Sequence, residues 1–233
     1  MQCGRSLILS ERRYNRLSKN RVDIDFDTLI LPDVEMSRYM ENCQLPDPEL
    51  RTYYENLSKR VLWVDEAIDT STLEFAKCII AWNEADKDIP VDERKPIRMF
   101  FTSPGGDLGT TYTLLDVIRL SKTPIIGINM GECCSGAAFI FLSCQRRVTL
   151  PHGTFLLHSG SAEGISGTAE QVKSFTAEYN RRIKGLKEYL IDDIGLDKKL
   201  VTRKMSGEWY INAKEAVEIG ICDRVVEDMN ELM

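Results

Sequence analysis

From residue 60 onward the chain alternates short apolar runs with stretches of helical periodicity, and this alternation restricts its fold more than any other feature. "RVLWV" (60–64), "IRMFFT" (97–102), "PIIGINM" (124–130), "RVTL" (147–150), "TFLLH" (154–158) and "ICDRVV" (221–226) are strand-like. Ser71 and Glu74 have the spacing of a capping box, opening a helix with Leu73, Ala76, Ile79 and Ile80 on one face. "TTYTLLDVIRLS" (110–121) is helix-like, and a short helix is predicted to start at Ser135. A long helix is predicted over 168–191, with Thr168 and Gln171 as its capping box and Val172, Phe175, Tyr179, Ile183, Leu186 and Leu190 along one stripe. A last helix opens near Asn212, with Glu215 at the reciprocal position and Gly220 at its C′ site. Strands alternating with helices imply βαβ units and a mostly parallel α/β sheet. Right-handed crossovers then put helices on its faces.

A chain of 233 residues with 43% hydrophobic residues buries a substantial core, as one large domain or one domain with an appendage. Residues 1–22 carry six basic side chains and one acid, whereas 23–50 carry eight acids and Arg38 alone. Blocks of this kind read as a partly mobile extension over 1–59 ahead of a domain over 60–233, or as an arm that docks a partner subunit or guards an entrance. The net charge of −6 leaves no excess of cations to neutralise phosphates, which argues against a nucleic-acid binder. No stretch approaches the roughly 18–20 apolar residues of a membrane span, so no membrane partner is expected. The first residues hold no apolar core long enough for a secretory signal, though their basic character is faintly like an organellar targeting peptide. Seven cysteines without CxxC spacing read as reduced thiols in a cytoplasmic compartment. With His152 and His158 as the two histidines, neither a metal site nor any other cofactor is expected.

Three places carry chemistry. In "TSPGGDLG", Gly105 and Gly106 follow a strand, where paired glycines either make a plain turn or let backbone N–H groups face a ligand. In "GECCSGAAF", Ser135 and Gly136 stand where strand-like sequence gives way to helix. Ser135 is there either an ordinary N-cap or a nucleophile beside donors able to hold an oxyanion. Cys133 and Cys134, in the preceding turn, are rival nucleophiles. Third, His158 ends "TFLLH" at the mouth of the sheet, where α/β folds place site residues, while His152 after Pro151 reads as structural.

Taken in this order, the three segments resemble the Clp protease proteolytic subunit family, from about Arg60 to Val226. "RVLWVDEAID" is similar to that family's first core strand and turn, "FFTSPGGD" to its oxyanion-hole segment and "GECCSGAAF" to its nucleophile segment. "LPHGTFLLH" is similar to the segment of its catalytic histidine, and "NAKEAVEIGICDRV" to its closing helix and strand. The resemblance implies the ClpP/crotonase-like fold of repeated β-β-α units with a projecting strand and helix handle. It implies Ser135 as nucleophile, His158 as general base and then acid, and the N–H groups of Gly106 and Gly136 as oxyanion hole. The family's triad aspartate falls on Glu208, its following arginine on Trp209, and its usual Gln-Pro after the histidine on Ser159 and Gly160. Asp192 and Asp193 are the next candidates for the acid.

By the same resemblance the chain is expected to form a homo-oligomer of stacked rings, to receive unfolded polypeptides from an AAA+ unfoldase (a Clp ATPase) and to cleave them. Two other readings stay open on the residues: a ring subunit with a structural role and little activity, and a crotonase-like acyl-CoA enzyme.

Overall fold

A computed structural model of the chain describes residues 48–162 and 165–232. The extension expected over 1–59 lies outside the described residues up to residue 47. Its last part forms helix α1 (Pro48–Ser58), whose Leu57 packs against the main core.

Seven strands form one sheet: β1 (Val61–Val64), β2 (Ile97–Ser103), β3 (Ile125–Cys134), β4 (Arg146–Thr149), β5 (Thr154–Leu157), β6 (Trp209–Asn212) and β7 (Arg224–Val225). The order is β1-β2-β3-β4-β7, all parallel, with β5 and β6 branching from β3. The branch lies within β3 itself. Its residues Ile126–Asn129 pair with β4, whereas Glu132–Cys134 pair with β5. This second partner satisfies backbone groups that would otherwise be stranded in the interior. It also explains why β3 runs four residues beyond the predicted strand end at Met130. Cys133 and Cys134 therefore belong to a strand, not to a turn before the helix.

Alternation along β1 and β2 divides the packing between two faces. Leu62, Val64, Ile97, Met99 and Phe101 join a large core with helices α2 (Leu73–Ala85), α3 (Leu108–Leu120) and α4 (Gly136–Leu142). Every residue of α4 is buried, as its uniformly apolar sequence requires. On the other face, Val61, Phe100, Ile128 and Val148 meet Val226 and Leu232. A 3₁₀ turn, Met229–Leu232, lies there, and the Arg98 guanidinium donates to the Leu232 carbonyl at 3.0 Å.

Helix α5 (Ala169–Glu188) opens with the expected capping box. The Gln171 amide donates to Thr168 Oγ1 at 3.3 Å, and the Thr168 amide donates back to the Gln171 side chain at 2.9 Å. Its second half is anchored by Ile183 and Leu186 and runs into a π-helical turn, Tyr189–Asp193. Its first half leaves Phe175 51% exposed, so the predicted apolar stripe is buried over only part of its length. Helix α6 (Lys198–Lys204) follows, and then α7 (Ala213–Glu218), where Asn212 accepts from the Glu215 amide at 3.0 Å. Gly220, at φ 85°, ends α7 in a Schellman motif, with the Ile221 amide donating to the Ala216 carbonyl at 2.8 Å.

The start of α2 differs from the prediction. Asp69, not Ser71, is the cap: it accepts from the Ser71 amide at 2.7 Å, and its own amide donates to Thr72 Oγ1 at 3.1 Å. A 3₁₀ turn, Thr70–Thr72, intervenes before the helix, which displaces the box by two residues. Ile80 is 59% exposed and lies off the buried face formed by Ala76 and Ile79.

Candidate active site

Two ladders bring the predicted residues together. Parallel pairing of Cys134 with Leu156, continued by a 2.7 Å bond from the Ser135 amide to the Leu156 carbonyl, puts Ser135 beside the end of β5. Antiparallel pairing of Leu157 with Trp209 makes His158 and Glu208 the next cross-strand pair. The side chains meet accordingly. His158 Nε2 lies 2.7 Å from Ser135 Oγ, and His158 Nδ1 lies 3.1 Å from Glu208 Oε1. The imidazole is largely buried, at 17% side-chain exposure, while the Glu208 side chain is 56% exposed.

Ser135 is held in an unusual conformation, φ 52° and ψ −123°, and its side chain makes no capping bond to α4. An ordinary N-cap has extended backbone angles and a hydroxyl that accepts from the first turn. Here the hydroxyl faces the imidazole instead. Left-handed backbone on a non-glycine residue stores strain that the surrounding structure has to hold in place. The Ser135 carbonyl contributes by accepting from the amides of Ala138 at 3.0 Å and Phe139 at 3.3 Å.

The diglycine packs directly against this turn. Gly105 has φ 88°, and a β-carbon there would lie 2.5 Å from the Cys134 carbonyl oxygen, 2.7 Å from the Gly136 nitrogen and 2.7 Å from Ser135 Cβ. Gly106 is pinned from the other side, since a β-carbon on it would strike the Ile68 carbonyl oxygen at 2.2 Å. Ile68 donates to the Gly105 carbonyl at 2.9 Å and accepts from the Asp107 amide at 2.7 Å, which fixes the loop. The Gly106 nitrogen lies 3.4 Å from the point where a Gly136 side chain would begin, so the two amides are neighbours. Both glycines line a cleft of about 270 Å³ together with Ser135 and His158. Its remaining wall is mainly apolar, from Leu108, Phe139, Leu156, Ile183 and Leu186.

The rival nucleophiles are poorly placed. Cys133 is fully buried, and burial holds its thiol well above the ordinary value. Burial, followed by the negative charge of Glu132, also raises the Cys134 thiol, which keeps it protonated and unreactive. Asp193 pairs with Arg119, and neither it nor Asp192 lines the cleft. No group of three or more potential metal-ligating side chains was found among the described residues. Nor is any described helix long and apolar enough to cross a membrane.

Sequence reasoning did not find β6, the strand that delivers Glu208, nor the contacts of Ser159 and Tyr179 beside His158. Gly160, directly after Ser159 and ahead of the helix that carries Phe175 and Tyr179, was the available signal for the latter.

The family model described as Clp protease matches residues 52–229. Among curated proteins, the chain is 29% identical over 140 residues to the ATP-dependent Clp protease proteolytic subunit 2 of Treponema denticola, covering 59% of this chain and 70% of that one. It is 29% identical over 139 residues to the protein of the same description from Pseudomonas aeruginosa, covering 59% and 69%. Among solved structures, a ClpP1 mutant from Listeria monocytogenes superposes with a TM-score of 0.65 at 17% identity, over 78% of this chain and 99% of that one. That likeness establishes the fold.

Proposed function

The chain belongs to the Clp protease family, and from that premise we propose that it is a serine endopeptidase subunit working through Ser135, His158 and Glu208. The observation that carries this reading is the continuous chain of contacts, 2.7 Å from Ser135 Oγ to Nε2 and 3.1 Å from Nδ1 to Glu208 Oε1. A serine hydroxyl is a weak nucleophile at neutral pH and needs a base within hydrogen-bond reach. With Nδ1–H donating to the Glu208 carboxylate, the lone pair on Nε2 faces the hydroxyl and takes its proton as Oγ attacks a peptide carbonyl. The imidazolium then returns that proton to the leaving amine. Water repeats the sequence on the acyl-enzyme. The amides of Gly106 and Gly136 receive the developing oxyanion, a role that requires donors fixed before the reaction, as the loop contacts of Ile68 provide. The apolar cleft suits an uncharged side chain next to the scissile bond.

The substrates are unfolded polypeptides, because a cleft of about 270 Å³ takes a short extended segment and not a folded domain. We place the subunit in a homo-oligomer of stacked rings fed by an ATP-dependent unfoldase. In support, the relatives are described as proteolytic subunits of ATP-dependent Clp proteases. The exposed half of α5, where Phe175 stacks on Tyr179 with ring centroids 6.5 Å apart, offers a face that a second copy would cover reciprocally. Turnover of a short unstructured peptide tests the assignment. Ser135→Ala and His158→Ala should each abolish it, and unchanged turnover in both would refute it.

A further inference from the structure

Ser159, the residue after the base, joins three segments. Its hydroxyl donates to the Met205 carbonyl at 2.6 Å, and its carbonyl accepts from the Tyr179 hydroxyl at 3.1 Å. Met205 ends α6 and is completely buried; its carbonyl, left without a helical partner, belongs to the segment that reaches Glu208 three residues later. Tyr179 stands in the middle of α5 and lines the cleft. One serine thus connects the segments carrying the base and the acid with the long helix.

The residue types fit this arrangement closely. Gly160 has φ 76°, and a β-carbon on it would lie 2.6 Å from the Tyr179 hydroxyl oxygen. Only glycine at 160 lets the phenol reach the Ser159 carbonyl. The need for such a fastening follows from the ladder: the pairing of β5 with β6 ends at Leu157 and Trp209, one step short of His158 and Glu208. Beyond that pair, sheet hydrogen bonds no longer fix the backbone that carries the imidazole. The bonds of Ser159 are the next to do so.

We propose that Ser159 and Tyr179 are positioning residues, which hold the backbone after His158 so that its imidazole meets Ser135 and Glu208 at the same time. This rests on the reading of those three residues as the reacting set. The clasp is expected to act on the chemical step, because both of its hydrogen bonds fix backbone next to the base; Tyr179→Phe keeps the ring that lines the cleft, so substrate capture should be little changed.

The test uses the full chain in its assembled form, with a short fluorogenic peptide and a fluorophosphonate probe. Ser159→Ala and Tyr179→Phe should each lower kcat about three- to tenfold, the worth of one hydrogen bond, with KM unchanged. The rate of probe labelling should fall in the same proportion, and Ser159→Thr, which keeps the hydroxyl, should restore both. Tyr179→Phe keeps the ring and removes only the bond, so it carries the test if Ser159→Ala fails to fold. Wild-type kcat in both variants, or a loss confined to KM, would overturn the proposal. Ser135→Ala assayed alongside separates the two levels: if it is inactive while the clasp variants are fully active, the clasp alone fails, whereas full activity in Ser135→Ala sinks the reading beneath it.

Discussion

Gly105→Ala should disable the site through three contacts. The added methyl would lie 2.5 Å from the Cys134 carbonyl oxygen and 2.7 Å from both the Gly136 nitrogen and Ser135 Cβ. All three belong to the segment that holds the nucleophile and its neighbouring amide, and two of them are backbone atoms that no rotamer change can move. An ordinary contact needs at least about 3.4 Å, so the turn has to retreat by roughly 0.7–0.9 Å. A misplacement of about 1 Å at a reacting group costs on the order of 10²-fold in rate. The substitution also puts a β-carbon at φ 88°, which costs about 1–2 kcal/mol. Gly195 separates the two effects, since it has φ 84° but nothing within 4 Å of its would-be β-carbon. Gly195→Ala should therefore show the conformational cost alone, a fall of roughly 2–8 °C in Tm with unchanged kcat. Measured side by side, Gly105→Ala should lose about 10²-fold in kcat, well beyond its loss of stability. Wild-type turnover in Gly105→Ala, or an equal loss of kcat in Gly195→Ala, would refute the claim that the diglycine is built against the nucleophile.

Three further outcomes are expected. Glu208→Gln should lose most of the peptidase activity at unchanged Tm, up to about 10⁴-fold if the carboxylate sets the histidine tautomer, and near-full activity would remove it from the triad. Asp86 is 2% exposed and bound by both terminal nitrogens of Arg60, at 2.5 and 2.7 Å, and this bond holds its carboxyl below the ordinary value. A depressed carboxylate stabilises the fold above its unfolded value of about 3.9 and loses that contribution as pH falls through the lower folded value. Asp86→Ala should cost about 3–5 kcal/mol at neutral pH by taking the carboxylate from the Arg60 guanidinium, which keeps only the Lys95 carbonyl as acceptor, and should flatten the stability loss in acid; denaturant titrations at several pH values measure both. Phe175→Glu, on the exposed half of α5, should reduce the assembled mass seen in sedimentation towards small multiples of the 26.6 kDa chain and lower activity with it.

The parallel sheet could be read in advance because its central strands are continuous apolar runs, and the caps at Thr168 and Asn212 because a side chain and a backbone amide three residues apart decide them locally. What escaped reading depends on distant partners. Strand β6 is four residues long, its Trp209 and Ile211 buried while Tyr210 faces outward, and it exists through antiparallel pairing with β5 more than fifty residues earlier. Glu208 could thus be placed by resemblance but not by periodicity. The extension of β3 through Gly131 and Glu132 likewise depends on its change of partner from β4 to β5. The spacing of Ser71 and Glu74 pointed to a box there, but a 3₁₀ turn ahead of the helix hands the cap to Asp69. Ser135 was legible as a residue at a strand-to-helix switch, yet its left-handed backbone, with the hydroxyl toward the imidazole and not the helix, fits only because Gly105 leaves room beside it.

Ser135 as a nucleophile activated by His158 underlies the peptidase assignment. Reaction with a fluorophosphonate, followed by mass-spectrometric mapping of the adduct, tests it most directly. One adduct is expected, on Ser135, formed much more slowly in His158→Ala and absent in Ser135→Ala. An adduct elsewhere in the chain, or labelling that survives in Ser135→Ala, would contradict it.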